Sequence, residues 1–213
     1  DIDPQKCVPL GTTLNDVAVA DIVFVAVPTP SKKDGTCHID IVVSVVKELK
    51  KANAAANIVI RSTVPPGTSK SLGVSFMPEF LTEANANKDF CNNPLWILGG
   101  DSTKLGLLLQ QLLTNAKTEN IIVSDKLTQM SSTEAEMVKY VRNAFLSVKV
   151  SFFNEVYDAC GVSGCNFEAV RMAVGADPRI GTGHTLVPGP DGLRGFGGHC
   201  FPKDVAAWCT FNE

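Results

Sequence analysis

The first 125 residues alternate short apolar runs with amphipathic stretches. Residues 21–28 and 57–64 are apolar and rich in β-branched side chains, and prolines close each run. Such runs are typical of parallel strands that are buried on both faces. Between them, residues 39–52 repeat apolar side chains at helical spacing, with lysines near the C-terminal end, where a helix dipole favours positive charge. The pattern predicts a strand, a helix and a second strand.

Further elements follow with the same alternation. Residues 74–80 and 95–100 are predicted strands, residues 104–113 a leucine-rich helix, and residues 120–125 the last strand. Strands and helices in this order are joined by right-handed crossovers, which produce a parallel sheet. The sequence therefore predicts an α/β fold for residues 1–125.

The residue pattern changes after residue 125 and predicts a second domain over residues 126–213, built on one long helix. Residues 131–160 contain no glycine or proline, and their apolar side chains recur at helical spacing. Thr133 and Glu136 have the spacing of a capping box, and Gly161 is the predicted stop. A helix of this length spans ~45 Å and would form a spine between domains or subunits.

Cys200 stands in the most informative setting of the chain. A short predicted helix, residues 166–174, is followed by a glycine-rich loop, residues 175–198, and Cys200 then precedes a helix with Pro202 in its first turn. A thiol there lies near free backbone N–H groups, the positive end of a helix dipole and Lys203, and all three favour the reactive thiolate. A buried, inert cysteine is the commoner case in general, but this setting favours a nucleophile.

Two further pairs are candidates for chemistry. Lys139 and Asn143 are four residues apart on the long helix, so both project from one face and could stabilise a developing oxyanion. The alternative for this pair is a solvated helix face. Glu79 and Glu83 follow a predicted strand, where active-site groups of open α/β sheets collect, and the alternative for them is a pair of surface acids.

Composition narrows the classes of protein. Hydrophobic residues make up 45% of the 213 residues and charged residues 19%, which is enough apolar material for a packed core. The net charge of −3 argues against a nucleic-acid surface maintained by positive charge. No apolar run approaches the ~20 residues that span a bilayer, and no secretion signal is visible. Seven cysteines without a CxxC pair indicate reduced thiols in the cytoplasm, with no metal site.

Six segments together resemble one family. They are VAVPTP, RSTVPPGT, PEFLTEANANKDF, TEAEMVKYVRNAFLSVKVSFFNEV, DPRIG and GFGGHCFPKD. In this order and approximate spacing, the chain resembles the UDP-glucose/GDP-mannose dehydrogenase family, and within it the enzymes that act on UDP-glucose. The resemblance runs from about residue 21 to the C-terminus. It implies a Rossmann-like NAD-binding domain over residues 1–125, then a helical central domain that carries the catalytic cysteine and forms a homodimer through its long helix.

The resemblance also implies a reaction. The C6 alcohol of the UDP-sugar is oxidised to a carboxylate in two NAD-dependent steps that remove four electrons. Cys200 would capture the intermediate aldehyde as a thiohemiacetal, which becomes a thioester that water hydrolyses. Lys139 and Asn143 would stabilise oxyanions, Asp204 would orient Lys139 or the water, and Glu79 would be the general base for hydrolysis.

Binding residues follow from the same resemblance. The cofactor positions are Asp1, Val27, Thr29, Ser62, Thr63, Glu83 and Lys203. The substrate positions are Glu79, Phe80, Leu81, Glu83, Lys139, Asn143, Arg179, Phe196 and Gly197. Arginine suits a diphosphate because its guanidinium donates two parallel hydrogen bonds, and in the family this arginine can reach across a dimer.

The chain departs from the family pattern at both ends. No GxGxxG fingerprint is present, and Asp1 matches the acidic residue that ends the second strand and binds the adenosine ribose. The C-terminal nucleotide-binding domain of the family is missing beyond Glu213. We therefore expect a fragment of the enzyme, without half of the pyrophosphate-binding apparatus. The segment before the FGGHC motif is longer than in the common enzymes for UDP-glucose. His199 stands where the family usually has a small residue, and we expect a structural role for this histidine.

Three functions remain open at this point. The first is a dehydrogenase of UDP-glucose, with GDP-mannose or a related nucleotide sugar as the alternative substrate. The second is a non-catalytic module that dimerises or binds nucleotides. The third is a cysteine hydrolase that pairs Cys200 with His184 or His38, which leaves the PEFLTE and STVP segments and the Lys139/Asn143 pair unexplained.

Overall fold

The computed structural model describes residues 4–198 and 200–211, and of Pro4 and Glu83 the backbone alone. The chain forms two compact units. The first holds the chain up to residue 30 together with residues 37–139, and the second holds residues 31–36 and the chain from residue 140 onward. Within the described residues, no helix combines the length and the apolar character that crossing a bilayer requires.

A five-stranded sheet organises the first unit. Its strands are β1 (Val23–Val25), β2 (Ile58–Ile60), β3 (Ser75–Phe76), β4 (Trp96–Gly99) and β5 (Leu127–Met130), and they lie side by side in this order. Three of the four pairings are parallel, whereas β3 and β4 pair antiparallel, with Phe76 opposite Gly99. The α/β class is therefore confirmed, with one antiparallel pairing in a sheet that the sequence predicts to be parallel.

Helices connect these strands and form most of the second unit. They are α1 (Leu14–Ala18), α2 (Asp40–Ala52), α3 (Thr68–Leu72), α4 (Ala86–Cys91), α5 (Thr103–Thr118), α6 (Ser132–Ser163), α7 (Phe167–Gly175) and α8 (Phe201–Phe211), with 3-10 turns at Pro4–Lys6 and Glu83–Asn85. The predictions for α2, α5, α7 and α8 are confirmed. Most of the observed helix ends lie within a few residues of the predicted ends.

The strand predicted over residues 120–125 is wrong. Ile122 is buried between the exposed Ile121 and Val123, so burial alternates as it does in a strand. The backbone nevertheless turns, because Asn120 has a left-handed φ of 58° and the Ile121 N–H returns to the Ala116 carbonyl. The last strand is β5, where Trp96 pairs with Leu127.

The core lies on both faces of the sheet. Ile58 and Ile60 point to one apolar cluster, which includes Val42 of α2, while Val59 points to the other, which includes Leu105 of α5. All three residues of β2 are buried. This explains why the strand reads as a continuous apolar run, since a strand covered on both faces shows no polar alternation.

The long helix α6 is confirmed, but its start and end differ from the prediction. Ser131 and Glu134 form the capping box: the Glu134 N–H donates to Ser131 Oγ at 3.3 Å, and the Ser131 N–H donates to Glu134 Oε2 at 2.7 Å. The Thr133–Glu136 box is therefore wrong. Gly161 lies inside the helix, which ends before Gly164, whose φ of 66° is left-handed. The helix is ~48 Å long.

Gly99 allows α6 to begin close against β4. A Cβ atom at this position would lie 2.7 Å from the Ala135 Cβ and 2.8 Å from the Ser132 Cα. Real Cβ atoms do not approach other carbons so closely, and only glycine permits this packing.

Candidate active site

Four of the predicted cofactor positions, Val27, Thr29, Ser62 and Thr63, follow the carboxyl ends of β1 and β2. The Ser62 hydroxyl joins the two loops, because it donates to the Val27 carbonyl at 2.7 Å and accepts from the Val27 N–H at 2.8 Å. The Cys37 thiol, which sequence reasoning missed, is buried 3.7 Å from the Thr63 carbonyl and 3.9 Å from the Thr29 carbonyl. The four predicted positions therefore lie on two loops that are bonded to each other.

This arrangement fits one wall of a dinucleotide site. Ligands of open α/β sheets bind at the carboxyl ends of parallel strands, where β1 and β2 end side by side. The Ser62 hydroxyl already bonds to the Val27 backbone, so its role is to join the two loops. Asp1 lies outside the described residues, and the Glu83 backbone begins the 3-10 turn after Thr82.

Lys139 and Glu79 form a buried ion pair in the first unit. Lys139, 3% exposed, donates from Nζ to Glu79 Oε1 at 2.8 Å and to the Glu79 carbonyl at 2.6 Å. Its ammonium lies 5.5 Å from the centroid of the Phe80 ring, and the Leu81 N–H donates to Glu79 Oε2 at 2.8 Å. The PEFL segment thus surrounds Lys139 with a carboxylate, a carbonyl and an aromatic face.

The pKa of Glu79 lies below its ordinary value. Burial opposes ionisation of this carboxyl, but Lys139 outweighs it by charge and by hydrogen bonding, aided by the Leu81 N–H and by Arg61. A general base works best when its pKa is near the working pH. In this structure Glu79 holds Lys139 in place, and its role as a general base stays a prediction.

A second polar group lies in the second unit, around Asp204. This residue is 1% exposed and accepts from Asn143 Nδ2 on one oxygen and from Lys203 Nζ on the other, each at 2.5 Å. Asn143 is also buried. Because α6 supplies the amide and α8 supplies the carboxylate, this pair bonds the first turn of α8 to the long helix.

Cys200 is exposed and immediately precedes α8. Its carbonyl accepts from the Asp204 N–H at 2.9 Å, which is the first hydrogen bond of that helix. Pro202 occupies the second helical position, as the sequence predicts. Cys200 therefore occupies the N-terminal end of α8, where the helix dipole stabilises negative charge.

Three predicted substrate positions of the second unit, Arg179, Phe196 and Gly197, lie outside its helices. Arg179 is largely exposed, and Asp177 holds its guanidinium through Oδ1 at 3.0 Å from Nε and through Oδ2 at 2.5 Å from Nη2. Phe196 is half-buried and Gly197 is exposed. Sequence reasoning missed Asp177, although an acid two residues before an arginine in a Pro-containing turn could have indicated it.

The histidines of the hydrolase alternative have other neighbours. His38 Nε2 lies 3.0 Å from Asp40 Oδ2, and the His184 ring packs against Phe201 with centroids 5.6 Å apart. Burial, together with the positive charges of Lys149 and Arg142, lowers the pKa of His184. His199 lies outside the described residues.

Comparisons with known proteins identify relatives over both units. A model of the UDP-glucose/GDP-mannose dehydrogenase family, NAD binding domain, matches residues 9–117, and the model of that family's central domain matches residues 133–212. The UDP-glucose 6-dehydrogenase of Pseudomonas aeruginosa is 36% identical over 97% of this chain and 48% of its own length. The chain spans about half the length of the curated relatives it matches.

Solved structures are similar as well, and they confirm the α/β fold. A UDP-glucose dehydrogenase from the archaeon Pyrobaculum islandicum matches with a TM-score of 0.77 and 32% identity, over 95% of this chain and 48% of that one. A GDP-mannose dehydrogenase from Pseudomonas aeruginosa matches with a TM-score of 0.68 and 28% identity, over 93% of this chain and 48% of that one.

Proposed function

The chain belongs to the UDP-glucose/GDP-mannose dehydrogenase family, and we propose that it takes part in the NAD-dependent oxidation of UDP-glucose to UDP-glucuronate. The observation that carries this proposal is the exposed thiol of Cys200 at the N-terminus of α8. Overall, one alcohol, one water and two NAD⁺ give one carboxylate, two NADH and three protons. Family membership favours this reaction over the cysteine hydrolase.

The loops after β1 and β2 would hold NAD⁺, which supplies the hydride acceptor for both oxidations. Val27, Thr29, Ser62 and Thr63 are the residues of these loops that we assign to it. The Ser62–Val27 hydrogen bonds fix the spacing of the two loops before the ligand arrives. Such preorganisation lowers the entropy that binding costs.

Cys200 would act as the nucleophile. Its Sγ attacks the C6 aldehyde and forms a C–S bond, which keeps the aldehyde in the site as a thiohemiacetal until the second oxidation gives a thioester. Water then displaces the sulfur and releases the carboxylate. The positive end of α8 favours the thiolate both as attacking and as leaving group.

Lys139 and Asn143 would stabilise the oxyanions of these steps. Glu79 fixes the position of the Lys139 ammonium, and Asp204 fixes the Asn143 amide. Asp204 accepts hydrogen bonds from Asn143 Nδ2 and Lys203 Nζ, so we propose that it orients these two groups. Fixed donors stabilise developing charge without reorganising during the reaction.

The substrate assignment to UDP-glucose is tested against GDP-mannose. Arg179 and the Phe196–Gly197 backbone would contact the nucleotide sugar, with Arg179 leaving Asp177 for a diphosphate oxygen. Calorimetric titration of both nucleotide sugars should show tighter binding of UDP-glucose, and Arg179→Ala should weaken it. Tighter binding of GDP-mannose would transfer the assignment to that sugar.

Cysteine reactivity tests the nucleophile independently of turnover. Iodoacetamide at neutral pH should label Cys200 about tenfold faster than Cys209, which is also exposed but lies near the opposite end of α8. UDP-glucose should protect Cys200 and leave Cys209 unprotected. Equal labelling of the two residues would remove the basis for the assignment.

Turnover is tested directly with UDP-glucose and NAD⁺. We expect the absorbance of reduced nicotinamide to rise and Cys200→Ser to abolish the completed reaction. If UDP-glucose stabilises the protein without turnover, the non-catalytic module is the better description.

We also propose that the partner is a second copy of the chain, seated on α6. Four side chains three or four residues apart on this helix are about half or more exposed: Val141 47%, Phe145 65%, Val148 65% and Phe152 60%. An apolar stripe of this kind is typical of a surface that another protein covers. Sedimentation analysis should find a dimer that Phe145→Glu converts to a monomer, and a wild-type monomer would contradict the assignment.

A further inference from the structure

Glu136 is completely buried on α6, and the proposed reaction does not use it. Its Oε2 accepts from the Gly67 N–H at 2.6 Å, and its Oε1 accepts from the Ser69 N–H at 2.7 Å. Both donors belong to the start of α3, whose first N–H groups have no acceptors within the helix. Gly67 occupies the N-cap position and has no side chain that could accept them. The Glu136 carboxylate, on a helix far away in the sequence, therefore caps the N-terminus of α3 in place of a side chain at Gly67.

The position of this carboxylate links two parts of the proposed machinery in the first unit. The turn formed by residues 62–67 runs from the loop assigned to NAD directly into α3. Glu136 lies three residues before Lys139 on α6, so one short stretch of helix bonds to this turn and also carries the ammonium held by Glu79. A shift of Gly67 and the first turn of α3 relative to α6 would have to break both hydrogen bonds of Glu136.

Keeping a carboxylate here is costly. Burial raises the pKa of Glu136 above its ordinary value, although the N–H groups of Ser69 and Gly67 act in the opposite direction. A neutral side chain would avoid this desolvation, and buried ionised groups often add little to stability compared with neutral replacements. What only the carboxylate offers is two equivalent acceptors for two donors, whereas the glutamine amide has one acceptor.

We propose that Glu136 is a positioning residue for the cofactor: its two oxygens hold Gly67 and Ser69, and through them residues 62–67, in the arrangement that binds NAD⁺. This rests on the proposed function in one respect, the assignment of that turn to NAD⁺. The role differs from general stabilisation because it concerns one ligand and one turn.

The test compares Glu136→Gln with two matched variants. Glu134→Gln changes a carboxylate on the same helix that also accepts a backbone N–H but is exposed. Ser69→Ala keeps the N–H that Glu136 binds and removes only a buried hydroxyl, which has no hydrogen-bond partner among the residues described here. Calorimetry gives the affinities for NAD⁺ and for UDP-glucose, and hydrogen exchange measures the Gly67 and Ser69 amides.

We expect Glu136→Gln to raise the dissociation constant for NAD⁺ about tenfold, the effect of losing one hydrogen bond to a charged group. The affinity for UDP-glucose should not change, and the two amides should exchange faster. The two matched variants should bind NAD⁺ like the wild type. If Glu136→Gln does not fold, Glu136→Asp, which is one methylene shorter and reaches one donor at most, takes its place.

The outcomes separate this proposal from the proposed function. Faster amide exchange with unchanged affinity for NAD⁺, or an equal loss of affinity for both ligands, would overturn the positioning role. Unchanged exchange in Glu136→Gln would overturn the hydrogen bonds themselves, whatever the ligand does. A wild-type chain that binds no NAD⁺ contradicts the proposed function, and the cofactor role of Glu136 falls with it.

Discussion

The two units hold their candidate residues in different ways. In the first unit, Lys139 is buried and its ammonium bonds to Glu79, sixty residues earlier in the sequence. In the second unit, Arg179 is exposed and its partner Asp177 is only two residues away. A contact between distant segments is set by the fold as a whole, whereas a contact between neighbours is set by one turn.

The difference in burial determines whether a side chain keeps its position without a ligand or changes partner when a ligand binds. A buried pair keeps its geometry without a ligand because its partners are immobilised by packing. An exposed arginine paired with a sequence neighbour exchanges that partner for a phosphate at little cost, since exposed ion pairs contribute little. Asp204 is the exception in the second unit, because it is buried and bonds to Asn143 across sixty-one residues.

The largest expected effect is that of Asp204→Ala. It leaves the buried Asn143 amide and the Lys203 ammonium without an acceptor, and we expect the free energy of unfolding to fall by about 3–5 kcal/mol. Urea denaturation followed by tryptophan fluorescence measures it. Asp158→Ala, which breaks an exposed ion pair with Arg194, serves as the control and should cause no measurable change. An equal loss of unfolding free energy in the two variants would contradict the expected difference between buried and exposed pairs.

Lys139→Met should have the next largest effect. It leaves Glu79, whose side chain is 27% exposed, without its main counter-charge, and we expect a loss of about 2 kcal/mol at neutral pH, because the exposure of the carboxyl limits the cost. Adding Glu79→Gln in a double-mutant cycle should recover part of the loss. Purely additive effects would mean that the pair contributes nothing.

The same pair predicts a pH dependence. Because the pKa of Glu79 is lowered in the folded protein, its ionised form stabilises the fold above the pKa of the unfolded chain. This contribution is lost as the pH falls through the folded pKa. The stability difference between wild type and Lys139→Met should therefore shrink on acidification, and a constant difference would contradict the assignment.

Ser62→Ala should have a smaller effect on stability than Lys139→Met. It removes the acceptor of the Val27 N–H and one donor to the Val27 carbonyl, at about 1 kcal/mol. Thermal unfolding measures the loss, and Ser124→Ala is the control, because this half-buried hydroxyl donates to the Pro94 carbonyl and accepts from the Lys126 N–H. We expect the affinity for NAD⁺ to fall along with the stability of the two loops.

The smallest effect on stability is expected from Asp177→Asn. Its ion pair with Arg179 is exposed, so thermal unfolding should not change measurably, whereas the affinity for UDP-glucose should change because Arg179 loses its present partner. A clear loss of stability would show that this loop is fixed by the fold, like the buried pairs.

Local signals in the sequence are sufficient for most elements of the fold. The apolar runs of β1, β2 and β4 and the periodicity of α2 and α6 identify them, because burial on one or both faces leaves a direct trace in the sequence. The run at residues 120–125 misleads, since it alternates in burial like a strand while its backbone turns at Asn120.

The ends of α6 show what local signals leave out. Thr133 and Glu136 have the spacing of a capping box, but Glu136 bonds to Gly67 and Ser69, which are distant in sequence. Gly161 resembles a stop, yet glycine tolerates helical dihedrals and the helix continues past it. No spacing rule along one segment detects a partner that is brought close only by the fold.

The candidate residues were identifiable from sequence, but most of their partners were not. Cys200 before α8 has a local signature and lies where it was predicted. The bond between Ser62 and Val27, the thiol of Cys37 and the pairing of Asn143 with Asp204 join segments that are far apart along the chain. No local pattern in the sequence indicates these contacts.

Gly99 limits the substitutions that the chain tolerates at this position. Any side chain at that position would push on Ser132 and Ala135, and α6 is stiff enough to transmit the displacement to Lys139, ~10 Å along its axis. A single methyl group added at Gly99 would therefore displace the Lys139 ammonium. Random mutagenesis with selection for activity should find this position closed to substitution.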